Sequence, residues 1–236
     1  MSDIWDAGYR QFRNTLAGLT VPVFSDVAAH VLWPVALSRI EVDPIPIASL
    51  LTGAQEDLRR LFGIHRGVTP ADLWSLEQFA ALSAGVDERG DPVADPAAAS
   101  KVGLSRLAAP HVEEMRTTLS RVLSAASEIL NGPALPEQFN EQLRRAVVLF
   151  RRDLFFECHE YLEAIWIVEE GARKGFLQGL IQLSVGFHHD ANGNIEGAVA
   201  LLQRGIARIE NAPEGLVVPE INRLLDQARM RLANLR

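Results

Sequence analysis

The sequence predicts an all-α fold: an antiparallel helical bundle with an additional irregular helical region before it. Three observations carry that expectation. Apolar residues recur at three-to-four spacing from one end of the chain to the other, alternating runs of strand type are short, and Val and Ile are scattered. In the last hundred residues or so, the helical segments are separated by turns too short to join anything but antiparallel neighbours.

Residues 1–130 form the irregular helical region. Pro22, Pro34, Pro44, Pro46, Gly53, Gly63, Gly67 and Pro70 punctuate it, which predicts short, irregularly packed helices. Thr69-Pro70-Ala71-Asp72 is a helix start, with Thr as cap and Pro in the first turn. The stretch 85–100 combines Gly, Pro and Asp with almost no bulky apolar residue and reads as a loop or linker. A helix then begins near Pro110 and ends at Asn131-Gly132-Pro133. Trp5, Trp33 and Trp74 are enough to anchor a second small core, or to cover the bundle and close one side of it.

The bundle domain spans 137–236, with helices expected at about 137–151, 154–169, 174–191, 195–210 and 218–234. These pairs have the size of tetratricopeptide hairpins, but no self-similarity at a period of about 34 residues supports a repeat array.

Composition narrows the function. A formal charge of -7 argues against a phosphate-tracking surface, so no nucleic-acid partner is expected. The basic run from Arg144 to Arg152 reads as a solvated face. The most apolar early stretch, Leu19 to Leu37, contains Pro22, Asp26, His30 and Pro34, which spoil a membrane span. The N-terminus has acidic residues and no apolar core of signal-peptide type, and Cys158 is the single cysteine; a cytoplasmic protein in a reducing compartment is expected.

The informative stretch is FFECHEYLEAIW, Phe155 to Trp166. On a helical wheel Phe155, His159, Leu162, Glu163 and Trp166 share one arc of about 100°. That arc is expected to face the core, with Glu157 and Tyr161 on the far side and Glu160 at the margin. A carboxylate beside an imidazole on an apolar stripe is costly unless the pair shares a proton, a metal ion or outside partners. On the next helix Gln178, Gln182 and His189 fall within about 40° of one another. Antiparallel packing would bring His159 toward His189, and Glu163 toward Gln182 or Gln178. HEYLE is not a metalloprotease H-E-x-x-H, because Glu163 stands where the second histidine would be. Asn192-Gly193-Asn194 reads as a helix stop followed by an Asn cap.

His159, Glu163 and Trp166 form H-x-x-x-E-x-x-W, followed by FLQGLIQ from Phe176 to Gln182, then His189, Gly193-Asn194 and Gly197-Ala198. This ordered set resembles the bacterial and archaeal domain-of-unknown-function family 309 over about residues 138–211. Phe156, Glu157, His159, Glu160, Glu163, Trp166, Gln178, Gly179, Gln182, His189, Gly193 and Asn194 match it. One departure stands out: Arg151-Arg152-Asp153 occupies a turn where the family pattern leads us to expect a glycine. The resemblance implies a small helical domain and a metal site.

Two functions from different classes remain open. In the first, His159, Glu163 and His189 hold a divalent metal ion and Glu160 activates water for hydrolysis, with Glu157, Trp166, Gln178, Gln182 and Asn194 around a small-molecule ligand. In the second, the cluster only fixes helix packing in a non-catalytic interaction module, with a homo-oligomer as one possible assembly.

Overall fold

The computed structural model describes residues 7–89, 91–93, 98–213 and 215–236; Trp5 and part of the expected 85–100 loop lie outside them. The chain divides into two compact units, Met1–Gly132 and Pro133–Arg236.

The first unit is built from helices α1 (Ala7–Ser25), α2 (Val27–His30), α3 (Leu32–Ser38), α4 (Ile47–Phe62), α5 (Pro70–Trp74), α6 (Glu77–Leu82) and α7 (Val112–Asn131). A small antiparallel sheet of β1 (Ile45–Pro46), β2 (Ser83–Val86) and β3 (Lys101–Leu104) lies among them, in the order β1-β3-β2. Ser83 pairs with Leu104 and Ile45 with Val102. This sheet corrects the reading of 85–100 as a loop throughout, since Gly85 and Val86 belong to β2. After it, the Asp87 carboxylate accepts hydrogen bonds from the backbone N–H groups of Arg89 and Asp91, which turns the chain.

Two helices also exceed the short lengths expected. Helix α1 runs through Pro22 near its C-terminal end, and α4 continues through Gly53, where the Arg39 side chain packs against the bare Cα. Phe12, Leu16 and Phe24 of α1 and Leu50 and Leu58 of α4 are fully buried, and this apolar burial outweighs the local breakers. Thr69 caps α5 as expected, in a reciprocal pair with Asp72.

The second unit is α8 (Gln138–Arg151), α9 (Phe155–Val168), α10 (Gly171–Ala191), α11 (Ile195–Glu210) and α12 (Pro219–Asn234), within three residues of the expected bounds. No helix of the described residues is long and apolar enough to cross a membrane. Beyond the last residue of α8 the chain turns at Asp153, whose φ of 54° lies in the left-handed region. The Leu154 N–H reaches back to Leu149 O and the Asp153 N–H to Phe150 O, the wrap that glycine normally closes. The turn therefore keeps a glycine's backbone conformation while carrying an aspartate. Helix α10 crosses α11 at close range: a Cβ on Gly179 would lie 2.7 Å from Ile209 Cγ1, and one on Gly205 2.9 Å from Gly179 O. Arg231 of α12 grips Asp190 at the end of α10 through Nε (2.5 Å) and Nη2 (2.7 Å).

Candidate metal site on helix α9

Helix α9 buries Glu157, Cys158, Tyr161, Leu162 and Ile165. The core-facing arc is therefore centred near Cys158 and Ile165, about a quarter-turn from the Phe155–Trp166 arc expected. Two assignments change with it. Glu157 is 2% exposed and lies on the core side, and Glu163 is exposed. His159 sits between, its side chain 16% exposed, and Glu160 is more open at 43%. The cluster is a flank of the helix, half in and half out of water. Phe155 and Trp166, the two aromatic residues of the expected arc, are only half-buried.

Antiparallel packing of α9 on α10 is observed. Ser184 Oγ donates to Cys158 Sγ (3.3 Å), the Phe155 and Phe187 rings stack at 5.2 Å, and Lys174 Nζ lies 4.6 Å from the centre of the Trp166 ring. Gln178, Gln182 and His189 are half-buried on α10.

Ligand atoms of His159, Glu160 and Glu163 all lie within 4.8 Å of one another. His159 Nδ1 is 2.8 Å from Phe156 O; a carbonyl only accepts, so the ring donates from Nδ1. Nε2 is then turned toward Glu160 Oε1, 3.1 Å away. Burial acts to lower the imidazole pKa, but the hydrogen bond to Glu160, the charges of Glu160 and Glu163, and the Phe156 carbonyl outweigh it, so the pKa is raised. Glu160 is correspondingly held below the ordinary carboxylate range by the hydrogen bond from His159, against a smaller effect of burial.

His189 stands outside that group. Its Nδ1 accepts from Asn194 Nδ2 (2.9 Å), and burial lowers its pKa. Asn194 Oδ1 accepts from the Gly197 N–H (3.0 Å), the helix cap expected from the sequence, so this amide ties His189 to the start of α11. The imidazole that α10 brings toward α9 is His188: the Phe156 ring lies 5.0 Å from His159 and 5.3 Å from His188.

Trp166 Nε1 and Gln182 Oε1 are buried atoms with no hydrogen-bond partner among the described residues. Lys174 was missed by sequence reading, although its place four residues before Gln178 puts it on the same stripe. Cys158 is 1% exposed, and burial pushes its thiol up to about 12, so it acts as a small apolar core residue.

With this geometry in place, the comparison with known families is decisive for one segment. Residues 143–201 match the family model described as Domain of unknown function (DUF309). The DUF309 match begins in α8, ends in α11, and contains the whole of α9 and α10, hence every residue of the cluster. It lies inside the 138–211 range of the resemblance. No curated protein and no solved structure matches the chain significantly.

Proposed function

We propose that the DUF309 segment of this protein binds a divalent metal ion on α9 through His159 Nε2 and the carboxylates of Glu160 and Glu163. The observation that supports this reading is the gathering of their ligand atoms within 4.8 Å, with Nδ1 of His159 already committed to Phe156 O. That anchoring orients the ring and leaves Nε2 to face the carboxylates, the arrangement in which metal-bound histidines are held. One imidazole with two carboxylates suits zinc, manganese or ferrous iron. Glu160 belongs to the ligand set on this reading and is not the base, so the proposal is ion binding rather than hydrolysis. A cytoplasmic setting is part of the reading, supported by a single cysteine that is buried.

A second reading has its own observation. Both ring nitrogens of His159 face acceptors, which a doubly protonated imidazolium satisfies without any metal. The cluster would then only orient α9 within its bundle.

Elemental analysis of protein purified without chelator separates the two. Ion binding predicts close to one equivalent of a transition metal in the wild type and below about 0.1 in His159→Ala and in Glu163→Gln, with both variants retaining wild-type helical content. Wild type below about 0.1 equivalent after growth in metal-replete medium sinks the metal reading. Loss of thermal stability in the variants, with no metal dependence in the wild type, supports the packing role instead.

A further inference from the structure

In the first unit, the C-terminal half of α4 and the coil between α4 and α5 enclose a cleft of about 430 Å³. Gln55, Glu56 and Arg59 of the helix line it together with His65, Arg66 and Gly67 of the coil. That volume falls in the range of roughly 300–1,000 Å³ usual for small-molecule sites.

The coil is fixed at both ends. Gly63, at a φ of 65°, closes α4: its N–H donates to Arg59 O, and the Ile64 N–H to Leu58 O. At the far end Val68 is 5% exposed, and its carbonyl accepts from Gln55 Nε2 (3.3 Å). Thr69 then enters the cap of α5. Between these anchors the N–H groups of His65, Arg66 and Gly67 have no acceptor among the described residues. The cleft is therefore held open in advance, with three backbone donors unused.

Charge selects the class of ligand. Arg60 pairs with Asp57, three residues before it (2.5 Å). Arg59 has Glu56 at the same spacing, yet it forms no ion pair among the described residues, and neither does His65. Arg66 acts on Asp72 only through its charge. The cleft thus carries two guanidiniums against one carboxylate, and the Leu58 and Arg59 carbonyls that would repel an anion are already taken by Gly63 and Ile64. Two guanidiniums and three N–H groups offer more donors than the two oxygens of a carboxylate accept, whereas a phosphate monoester has three terminal oxygens. Two arginines neutralise one phosphoryl group, far short of a nucleic-acid backbone. On the other side, Gln55 has committed its amide nitrogen to Val68, which leaves Oε1 and the Glu56 carboxylate as acceptors for hydroxyl groups. We propose that this cleft binds a small phosphorylated polyol: Arg59 and Arg66 hold the phosphoryl group, and Gln55 and Glu56 accept from the hydroxyls.

The test uses full-length protein in buffer containing a chelator, so that an ion on α9 plays no part, and follows titrations by calorimetry. Glycerol phosphate is expected to bind saturably. Inorganic phosphate, which lacks the hydroxyls, and malate, which lacks the phosphoryl group, should bind at least about fivefold more weakly, a difference of about 1 kcal/mol. Arg59→Gln and Arg66→Gln should each weaken glycerol phosphate at least about tenfold. Arg60→Gln, whose guanidinium is held by Asp57 and lies outside the cleft lining, should leave it unchanged. All three arginines are exposed, so circular dichroism of the variants should match the wild type. No saturable binding up to about 10 mM overturns the proposal. So does an equal loss in Arg60→Gln, which would mean diffuse attraction to surface charge, and so does malate or inorganic phosphate binding as tightly as glycerol phosphate.

Discussion

Glu141, in the first turn of α8, is held by two arginines of the same helix. It accepts from Arg144 Nε (2.8 Å) and Nη2 (2.7 Å), from Arg145 Nε (2.8 Å) and from the Leu135 N–H (3.3 Å), with its side chain 13% exposed. The Arg144 hydrogen bonds, helped by Arg145 and the Leu135 N–H, outweigh burial and hold its pKa at about 2, against an ordinary 4.5. A carboxylate depressed by folding adds stability above its unfolded pKa, and that stability is lost as pH falls through the folded value. Glu141→Gln is therefore expected to lower stability by about 1–2 kcal/mol at pH 7, allowing for solvent screening of a surface network. Urea melts across pH 7 to 2 check this: the gap between wild type and variant should begin to narrow near pH 4.5 and close toward pH 2. A gap independent of pH would mean that the arginines act through packing instead. Sequence alone showed these arginines as a solvated basic run; their bonds to Glu141, three and four residues away, were open to reading from helical spacing. Asp153 was half legible. A glycine was expected in its turn, and the backbone there is left-handed, but which residue of Arg151-Arg152-Asp153 would take that conformation depends on where α8 ends.

At the scale of elements, the tight crossing of α10 and α11 gives a direct contrast. Gly179 has no room for a methyl group, being walled by Ile209, Arg208 and the Gly205 carbonyl, while Gly175 on the same helix has nothing within 4 Å. Gly179→Ala is expected to destabilise the protein by about 1–3 kcal/mol through overpacking, and Gly175→Ala to be neutral or stabilising by up to about 1 kcal/mol through helix propensity. Chemical denaturation of the two variants measures both, and equal effects would show that α11 moves aside freely. Apolar periodicity and the Asn-Gly-Asn turn made the helices of the second unit legible to within three residues. The azimuth of α9 was not. Apolar and aromatic side chains surround its whole circumference, and only the packing of α8 and α10 against it decides which arc is buried. The sheet was missed for a related reason: strands of two to four residues, with Gly85 and Gly103 inside them, contain too few side chains to show an alternation.

The whole molecule divides between Gly132 and Pro133, at the stop after α7. The residues beyond that point have what an independent domain requires. Phe150, Leu162, Phe176, Leu177, Leu202 and Leu225 are buried in a bundle of five helices, α12 is clamped to α10 by Arg231 and Asp190, and a length of about 100 residues is common for a domain that folds alone. All three cluster residues lie on α9, so the groups proposed to hold the ion come from a single helix of this unit. We therefore propose that a fragment of residues 133–236 folds by itself. It should show one cooperative thermal transition by circular dichroism and the same metal content per chain as the full-length protein. A fragment that melts without cooperativity would show that the bundle needs residues 1–132 for its core. A fragment that folds cooperatively yet loses the metal held by the full-length protein would show that a ligand to the ion comes from outside the bundle, and that the α9 group alone is too weak to retain it.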